Sequence, residues 1–416
     1  MRRKIGRIAR RQGVPPRAIK RAVRRRVRPA VRAERRRAAM AGRPLPPPPS
    51  RRHLAHAHHA GVDESLQARI SDVQSTFTRL EAEAQLGGIY ESIGRIDTQL
   101  TELPLVLETL HTRGFVHSGP LEDRLEQIDD KWDDVRARVE ETLRHHVQTL
   151  DVELDKTERL VTRLGVAGGR VSEGAVSAVE TAVNALANRI QAAETAVTAL
   201  YRSIAQELNA IEHEIHQIEK IVTYFEESAE IQLYDTEAPL QAVESVWQQN
   251  GEDGPEGILF LTDQRLLFEQ RDEIVTEKLL GIFKTKSEKV QRLLLDVAAQ
   301  DIETVTHKKE GGFLGMGKDD ILEFVFTATA PVSRARFHLK GADSATWAAL
   351  IKRIQTGEID EDRADEYVEE VETARKTAAS FPAQCPNCFA AVPPPPRGVT
   401  AVTCEYCGST IKPQAS

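Results

Sequence analysis

Apolar residues recur at alternating steps of three and four through residues 61–233, which predicts long amphipathic helices. Two glycine-containing breaks, at 114–120 and 165–169, divide this region into three helical segments. Because short breaks between long helices turn the chain back on itself, the pattern favours an antiparallel three-helix coiled coil. The third segment is the most regular and has one extra step of four, a stutter that locally unwinds a supercoil. Its apolar positions are Val176, Val179, Val183, Leu186, Ile190, Ala193, Val197, Leu200, Ile204, Leu208, Ile211, Ile215, Ile218, Val222 and Phe225.

From about residue 238 the apolar period becomes two, which predicts short antiparallel strands. A hairpin is expected over 257–269, where two apolar strands flank a polar turn at Asp263 and Gln264. A final amphipathic helix is expected to begin after an N-cap at Asp343. Many short strands followed by one such helix predict a small barrel or bent sandwich closed by the helix. The remaining strands are expected near 274–280, 289–295, 301–306, 320–328 and 333–340.

Three stretches of this region resemble the bacterial PH-like and GRAM-type domains: GILFLTDQRLLFEQ, LLLDVAAQDIETVTHKKEGGFLGMGKDDILEFVF and RARFHLKGADSATWAALIKRI. The resemblance covers about 236–357 and lies in the pattern of the whole fold rather than in fixed residues. It implies a domain that binds peptides, proteins or phospholipid headgroups and that usually has no catalytic activity. Because a fold does not determine a function, the ligand stays open.

All four cysteines lie near the C-terminus as two Cys-x-x-Cys pairs, Cys385 with Cys388 and Cys404 with Cys407. Fifteen residues separate the pairs, a spacing that lets both surround one tetrahedral Zn²⁺. The pattern resembles the zinc-ribbon family over 383–413. All four thiols would then be ligands, so the predicted site is closed and structural. Iron in the same four-thiolate site and a redox dithiol pair are the alternatives.

Zinc ribbons bind nucleic acid in some proteins and act as docking modules or small folded caps in others. A nucleic-acid surface normally needs a basic patch, and this ribbon has few basic residues, chiefly Arg397 and Lys412. It also follows an acidic stretch, 358–372, in which nine carboxylates accompany Arg363 alone. A docking or structural role is therefore favoured for the ribbon.

The fold class expected for the whole chain is a multi-domain α+β protein. Residues 1–60 read as an Arg-rich and Pro-rich disordered tail, 61–233 as the antiparallel helical coiled coil and 236–357 as the PH-like domain. An acidic helical linker is expected over 358–382, and the zinc ribbon over 383–416.

The net charge of −7 divides unevenly between the tail and the rest of the chain. Residues 1–60 hold 20 Lys and Arg against Glu34 alone, while the remainder carries a large excess of acids. A basic tail of this kind can bind nucleic acid, here through residues 1–39, or anionic lipid, or it can stay solvated. Met40 follows the basic block, so it competes with Met1 as the true start of translation.

Composition excludes several classes of protein. The longest apolar runs, such as Ile258 to Leu261, are far shorter than the ~20 residues of a membrane-spanning helix. The basic start lacks an apolar stretch of signal-peptide length, and four clustered cysteines do not form a disulfide framework. We therefore expect a cytoplasmic protein, either free or peripheral to a membrane.

The sequence offers no catalytic constellation. Gly312 to Lys318 has the spacing of a phosphate-binding loop, but Asp319 stands where Ser or Thr must bind Mg²⁺. The residues after it alternate like a strand, whereas a phosphate-binding loop opens a helix. His213 and His216 share one side of the third helix but lack the Glu-x-x-His pairs of a di-iron bundle. The protein is therefore expected not to be an enzyme.

One region of the PH-like domain is a candidate contact for an anionic surface. The loop at 312–318 has three apolar residues, Phe313, Leu314 and Met316, beside lysines, and these could insert into a bilayer or fold back onto the domain. On the strand at 334–340 every second residue is basic, so the basic residues share its outer face, which could equally be solvated. The candidate contacts are Lys308, Lys309, Lys318, Arg334, Arg336 and Lys340.

These features favour a non-enzymatic scaffold or adaptor. In the leading hypothesis the PH-like domain engages an anionic membrane surface, the coiled coil supplies reach or self-association, and the ribbon recruits a protein partner. The alternative is a nucleic-acid-associated or ribosome-associated factor that uses the Arg-rich tail and the ribbon. A third hypothesis is a scaffold that binds only proteins. The sequence does not identify the partner.

Overall fold

The computed structural model describes residues 64–166, 171–249, 251–275, 287–311, 319–393 and 395–414. The predicted tail with its Met40, and the loop with Phe313, Leu314, Met316 and Lys318, lie outside the described residues. Within the described ranges the chain is α+β, with long helices followed by an antiparallel sheet. None of the described helices is both long and apolar enough to cross a membrane.

Four long helices come first: α1 (Glu64–Glu83), α2 (Gly87–Thr112), α3 (Gly119–Val166) and α4 (Glu173–Glu226). The predicted break at 114–120 is confirmed between α2 and α3. Residues 167–169 of the predicted break at 165–169 lie outside the described residues. The first predicted helix is interrupted before α2, where Leu86 has a left-handed backbone with φ 53°. Leu86 is buried, so its side chain secures this turn even though a non-glycine residue rarely adopts the conformation.

The chain divides into two compact units. The helical unit comprises the described residues of 33–103 and 124–212. Within it, the Arg69 Nη2 donates to Glu180 on α4 at 2.7 Å, and the Gln99 side chain donates to Asn209 on α4 at 3.1 Å. Arg69 of α1 contacts an earlier residue of α4 than Gln99 of α2 does. The helices α1 and α2 therefore run parallel to α4.

Helix α3 runs in the opposite direction to its neighbours in the helical unit. The Arg136 Nη2 pairs with Asp97 of α2 at 3.1 Å, close to the level of Gln99. Farther along α3, Glu153 pairs with Arg189, which lies nearer the start of α4. Later residues of α3 therefore pair with earlier residues of α4, so α3 is antiparallel to its neighbours. Within the helical unit the helix directions follow an up-down-up order.

The second, mixed unit comprises the described residues of 104–123 and 213–416. Seven antiparallel strands form its sheet in the order β4-β3-β2-β1-β7-β6-β5. The predicted hairpin at 257–269 is confirmed as β2 and β3, joined at Asp263 and Gln264. The strands are β1 (Pro239–Trp247), β2 (Glu256–Thr262), β3 (Arg265–Val275), β4 (Ser287–Ala298), β5 (Ile302–Glu310), β6 (Asp319–Phe326) and β7 (Arg334–Leu339).

Helix α5 (Ser344–Thr356) follows the last strand of the sheet and closes its core. Asp343 is its N-cap, as the sequence predicts, and accepts a hydrogen bond from the Thr346 backbone N–H at 2.9 Å. The Lys309 ammonium, together with this backbone N–H, lowers the pKa of Asp343 to about 2. The apolar face of α5 buries Trp347, Ile351 and Ile354 in the core of the sheet. Seven antiparallel strands closed by one C-terminal helix make this a PH-like domain.

The segment after α5 is packed rather than free. A 3-10 turn, Glu358–Asp362, buries Ile359, and the Ala364 backbone N–H donates to the Val116 carbonyl at 2.8 Å. Helix α6 (Val368–Ala379) then leads to a two-stranded hairpin, β8 (Val402–Thr403) with β9 (Thr410–Ile411). The acidic stretch at 358–372 is therefore partly built into the mixed unit.

Candidate metal centre

Two similar turns hold the four cysteines near the C-terminus. In the first turn the Phe389 backbone N–H donates to the Cys385 carbonyl at 2.9 Å; in the second, Gly408 donates to Cys404 at the same distance. Both Phe389 and Gly408 have left-handed backbones, with φ 60° and 71°. Each turn therefore directs its two thiols to the same side, as in a metal-binding turn of the type called a knuckle. The first knuckle is 385–389 and the second is 404–408.

The four thiol sulfurs meet at one point. All four Sγ atoms lie within 4.8 Å of one another, with Cys385 and Cys404 buried and Cys388 and Cys407 exposed. The Sγ atoms of Cys385 and Cys407 are 3.7 Å apart, and those of Cys388 and Cys404 are 3.6 Å apart. Zn–S bonds of about 2.3 Å in a tetrahedron place two sulfurs about 3.8 Å apart, whereas a disulfide needs about 2 Å. The geometry is therefore compatible with zinc binding.

The surroundings shift the pKa values of two of these thiols in opposite directions. Hydrogen bonds from the Ser409 side chain and backbone lower the pKa of Cys407 to about 6. The backbone N–H of Ala390 acts in the same direction on Cys388, but desolvation and the other thiols raise the pKa of Cys388 to about 12. A metal bound by all four sulfurs would favour their thiolate forms.

The loop between the two knuckles carries an arginine into the PH-like domain. The Arg397 Nε donates to the Thr236 hydroxyl at 3.1 Å, and its Nη2 donates to the Thr236 carbonyl at 3.0 Å and to the Asp263 carboxylate. Gly398 has φ 91°, and a Cβ there would lie 3.1 Å from the backbone nitrogens of Asp235 and Thr236. The loop therefore needs glycine at 398 to approach the domain this closely.

Asp263, in the turn between β2 and β3, is the centre of a buried ion network. Its Oδ1 accepts the Ala238 backbone N–H at 2.9 Å, and its Oδ2 receives both Arg363 and Arg397. The side chain of Asp263 has no solvent exposure, and that of Arg363 has 2%. Burial, with the charges of Arg397 and Arg375, lowers the pKa of Arg363 to about 9. The network joins the β2–β3 hairpin, the acidic stretch and the loop between the two cysteine turns.

Sequence reasoning misses this network, although two of its members stand out. The sequence pattern indicates Asp263 only as a turn residue, and its partners Arg363 and Arg397 lie 100 and 134 positions away. The signals that could have found them are the lone Arg363 among nine carboxylates and the lone Arg397 between the knuckles. An isolated arginine in an acidic or uncharged segment is a candidate for a buried partner.

His117 completes the buried network in an uncharged form. Its Nδ1 lies 3.2 Å from the Ile359 carbonyl, so this nitrogen carries the proton. Its Nε2 lies 3.7 Å from the Asp263 Oδ2 and has no hydrogen-bond partner among the described residues. Burial, assisted by the positive charge of Arg363, lowers the pKa of His117 to about 3.

The low pKa of His117 predicts that the protein loses stability in mild acid. Between pH 6.5 and 3, His117 binds a proton in the unfolded chain but not in the folded chain. The free energy of unfolding therefore falls as the pH is lowered. At pH 5 the expected loss is about 2 kcal/mol relative to neutral pH. Urea unfolding of the wild type and of His117→Asn at pH 7 and pH 5 measures it. Equal pH dependence in the two proteins would contradict the buried neutral histidine.

The structure places most candidate contacts for an anionic surface beside carboxylates. On the outer face of β5 and β6, the Lys308 Nζ pairs with Glu323 at 2.7 Å. The Lys309 Nζ pairs with the N-cap Asp343 of α5 at 2.9 Å. Since each ammonium is partly neutralised by its partner, little free positive charge remains at these two positions.

The basic residues of β7 are arranged in the same way. Arg336 pairs with Glu310 at 2.5 Å and with Glu323, and the Lys340 Nζ pairs with Glu256 at 2.7 Å. Arg334 is exposed at the start of the strand. The predicted alternation is therefore present, but neighbouring strands supply carboxylates beside it.

Comparisons with known proteins give structural neighbours but no family. No protein-family model matches the chain, and no curated protein does. The chain is similar to the Vps36 N-terminal PH domain, with 16% identity over 32% of this chain and 88% of that one, at a TM-score of 0.20. It is also similar to the PDZ-RhoGEF DH/PH domains in complex with GTP-gamma-S activated RhoA, with 11% identity over 71% of this chain and 96% of that one, at a TM-score of 0.24.

A third neighbour is the DH/PH region of p115-RhoGEF, with 11% identity over 71% of this chain and 95% of that one, at a TM-score of 0.21. Scores this low carry no argument about function. The assignment of a PH-like domain therefore rests on the strand order of the sheet and on the helix α5 that closes it.

Proposed function

We propose that this protein is a non-enzymatic adaptor in which a PH-like domain and a structural zinc ribbon form one docking platform. The observation that carries the proposal is Arg397. It leaves the loop between the two knuckles and pairs with the buried Asp263 of the PH-like domain. Because a buried ion pair is costly to separate, the ribbon is anchored to the domain rather than tethered to it. A fixed pair of modules suits the presentation of one continuous binding surface.

The ribbon is proposed to hold one Zn²⁺ through Cys385, Cys388, Cys404 and Cys407. The two observed Sγ–Sγ separations match those of a tetrahedral four-thiolate zinc site. Such a site has no position left for a water or substrate, so its role is structural. Zinc would neutralise part of the thiolate charge and hold the two knuckles together.

The helical unit is proposed to be a coiled coil that supplies reach or self-association. Its buried residues include most of the heptad positions of α4, among them Val183, Ile190 and Val197. The up-down-up helix directions within the unit support the same proposal. With 54 residues at 1.5 Å each, α4 is about 80 Å long.

A protein is proposed as the partner rather than an anionic membrane. Lys308, Lys309, Arg336 and Lys340 all pair with carboxylates. Attraction of anionic lipid to basic residues depends on net charge near the surface, about 1 kcal/mol for each unpaired Lys or Arg. Ion-paired residues contribute much less, which weakens the case for membrane binding by this face.

Liposome flotation at physiological salt tests this choice. We expect a nuclease-treated chain that starts at Met40 to stay with the unbound fraction on neutral and on anionic vesicles. Replacing Lys308, Lys309, Arg334 and Arg336 with glutamate should then change nothing. Flotation on anionic vesicles only, abolished by these four substitutions, would establish the membrane adaptor and overturn the proposal of a protein partner. Flotation of only the full chain would instead assign polyanion binding to the basic tail.

A further inference from the structure

A cleft of about 500 Å³ lies in the mixed unit, beside helix α6. One wall is a face of α6 on which Glu370, Ala374 and Thr377 follow one another at helical spacing. The other walls are the turn at 235–236 and the segment 398–400 of the loop between the two knuckles. The volume lies within the range of about 300–1,000 Å³ that is usual for ligand pockets. This cavity is here called the α6 cleft.

Contacts within the mixed unit hold the walls of the α6 cleft in place. The Arg397 Nη2 donates to the Thr236 carbonyl at 3.0 Å, and Gly398 lets the loop approach the turn at 235–236 closely. Helix α6 is held from another side, where Val371 is buried. Because the walls are fixed before a ligand arrives, little ordering of the chain opposes binding.

The α6 cleft is negatively charged. Arg363 and Arg397, which are close to its walls in the sequence, pair with Asp263 instead. Arg375 of α6 pairs with Asp360. Among the described residues that line the cleft none is basic, so it favours a cationic ligand. Its carboxylates are those of Asp235, Glu366, Glu369 and Glu370.

The carboxylates are spread around the α6 cleft rather than gathered at one point. Within the described ranges, only the four cysteines form a group of three or more potential ligands close enough for one metal ion. Ca²⁺ and Mg²⁺ need such convergence, since they bind several oxygens at about 2.0–2.6 Å. Glu366 also lies 3.1 Å from the Nδ1 of His111. The arrangement therefore suits separate organic cations better than a metal ion.

The remaining lining of the α6 cleft is aliphatic or carries hydroxyl groups. Ala374 and Val399 contribute aliphatic surface. An arginine side chain matches both parts of the lining. Its carbon stem packs on aliphatic surface, and its planar guanidinium forms two parallel hydrogen bonds with a carboxylate. Four threonines complete the lining: Thr236, Thr373, Thr377 and Thr400.

We propose that the α6 cleft binds arginine side chains of a peptide segment in a partner protein. The inference rests on the proposed docking platform, because the cleft forms where the loop between the knuckles meets the PH-like domain. It adds the chemistry of the partner. Asp235 on the turn and Glu370 on α6 belong to different walls, so together they define the cleft rather than either element alone.

A peptide titration followed by fluorescence anisotropy tests the proposal. The probe is a labelled GRARARG peptide at physiological salt, titrated into the full chain and into a chain that starts at Met40 and lacks the basic tail. We expect saturable binding of one peptide per chain. Lysine in place of arginine should weaken it, since an ammonium does not form the paired hydrogen bonds of a guanidinium, and glutamine should abolish it.

The two chains give different information. Binding by both supports the proposal. Binding only by the chain that starts at Met40 also supports it and identifies the basic tail as a competitor for the α6 cleft. A lack of saturable binding to either chain overturns the proposal.

Matched substitutions separate the α6 cleft from the general charge of helix α6. Glu370→Gln should weaken binding about threefold to fivefold, and its combination with Asp235→Asn about tenfold. Glu372→Gln removes the same charge from an exposed position of α6 outside the cleft, and it should change binding by less than about twofold. Equal effects of Glu370→Gln and Glu372→Gln would reduce the binding to diffuse charge attraction and overturn the proposal.

A steric variant tests the cavity itself. Ala374→Phe keeps every charge but fills the α6 cleft, so it should weaken binding about tenfold or more. An unchanged melting temperature would show that the variant is folded. Wild-type binding by folded Ala374→Phe would contradict binding inside the cleft.

Urea unfolding of Asp263→Ala tests the docking platform without any peptide. If this variant is destabilised and the wild type binds no peptide, the platform stands and the proposal for the α6 cleft is overturned. If the peptide binds to the wild type and Asp263→Ala is as stable as the wild type, the cleft stands and the anchored platform is contradicted.

Discussion

Replacement of Asp263 with alanine is expected to lower the free energy of unfolding by about 3–5 kcal/mol, as for other buried ion pairs that lose one partner. The carboxylate has no solvent exposure and receives both Arg363 and Arg397. Its removal leaves two buried guanidinium groups that share Asp360 as their remaining ion-pair partner among the described residues. Urea unfolding followed by circular dichroism measures the change.

Asp235→Ala is the matched control for Asp263→Ala. Asp235 is an exposed carboxylate near the start of the same domain, and its loss should change the free energy of unfolding by less than about 0.5 kcal/mol. A second variant, Arg397→Met, should lower the free energy of unfolding by less than Asp263→Ala does. It removes one buried charge, whereas Asp263→Ala leaves two buried guanidinium groups without their shared carboxylate. If the free energy of unfolding of Asp263→Ala lies within about 1 kcal/mol of the wild-type value, the buried network does not anchor the ribbon.

Replacement of Cys404 with serine is expected to unfold the ribbon while the sheet of the PH-like domain stays folded. Metal binding by a structural zinc site contributes on the order of 10 kcal/mol, more than so small a segment can supply from its core. That core consists of Cys385, Cys404 and Ile411 with a few partly buried neighbours. Hydrogen exchange should therefore lose protection at β8 and β9 while β2 and β3 keep theirs.

Chelation is the reversible counterpart of the Cys404 substitution. Removing the metal from the wild type should give the same loss of protection at β8 and β9, and adding zinc back should restore it. Tyr406→Phe, which changes a neighbouring exposed residue without touching a ligand, should behave like the untreated wild type. Unchanged exchange in Cys404→Ser would mean that the ribbon folds without metal.

Local patterns predicted the elements of the fold well. The period of two located the β2–β3 hairpin, and Asp343 was identified as the N-cap of α5 from the sequence. The four cysteines were also identified as one cluster from their spacing. Each of these features depends on residues close together in the chain or on a fixed ligand spacing, which a sequence displays directly.

The features that were missed depend on contacts between distant residues. The alternation of 334–340 predicted which side chains share a face, but the register with β6 decides that Glu323 lies beside Arg336. The pairing of Arg363 and Arg397 with Asp263 likewise requires the acidic stretch and the loop between the two cysteine turns to meet at the β2–β3 turn. A periodic pattern along the sequence does not reveal a contact between residues so far apart in the chain.

The most direct test of the proposed zinc centre is native mass spectrometry of the full chain purified without added metal, with elemental analysis of the same sample. We expect one zinc per chain, and none in Cys404→Ser. We also expect all four thiols to become alkylatable only after chelation. A metal-free chain with a folded ribbon, a centre that holds iron, or cysteines paired as disulfides would contradict the zinc centre.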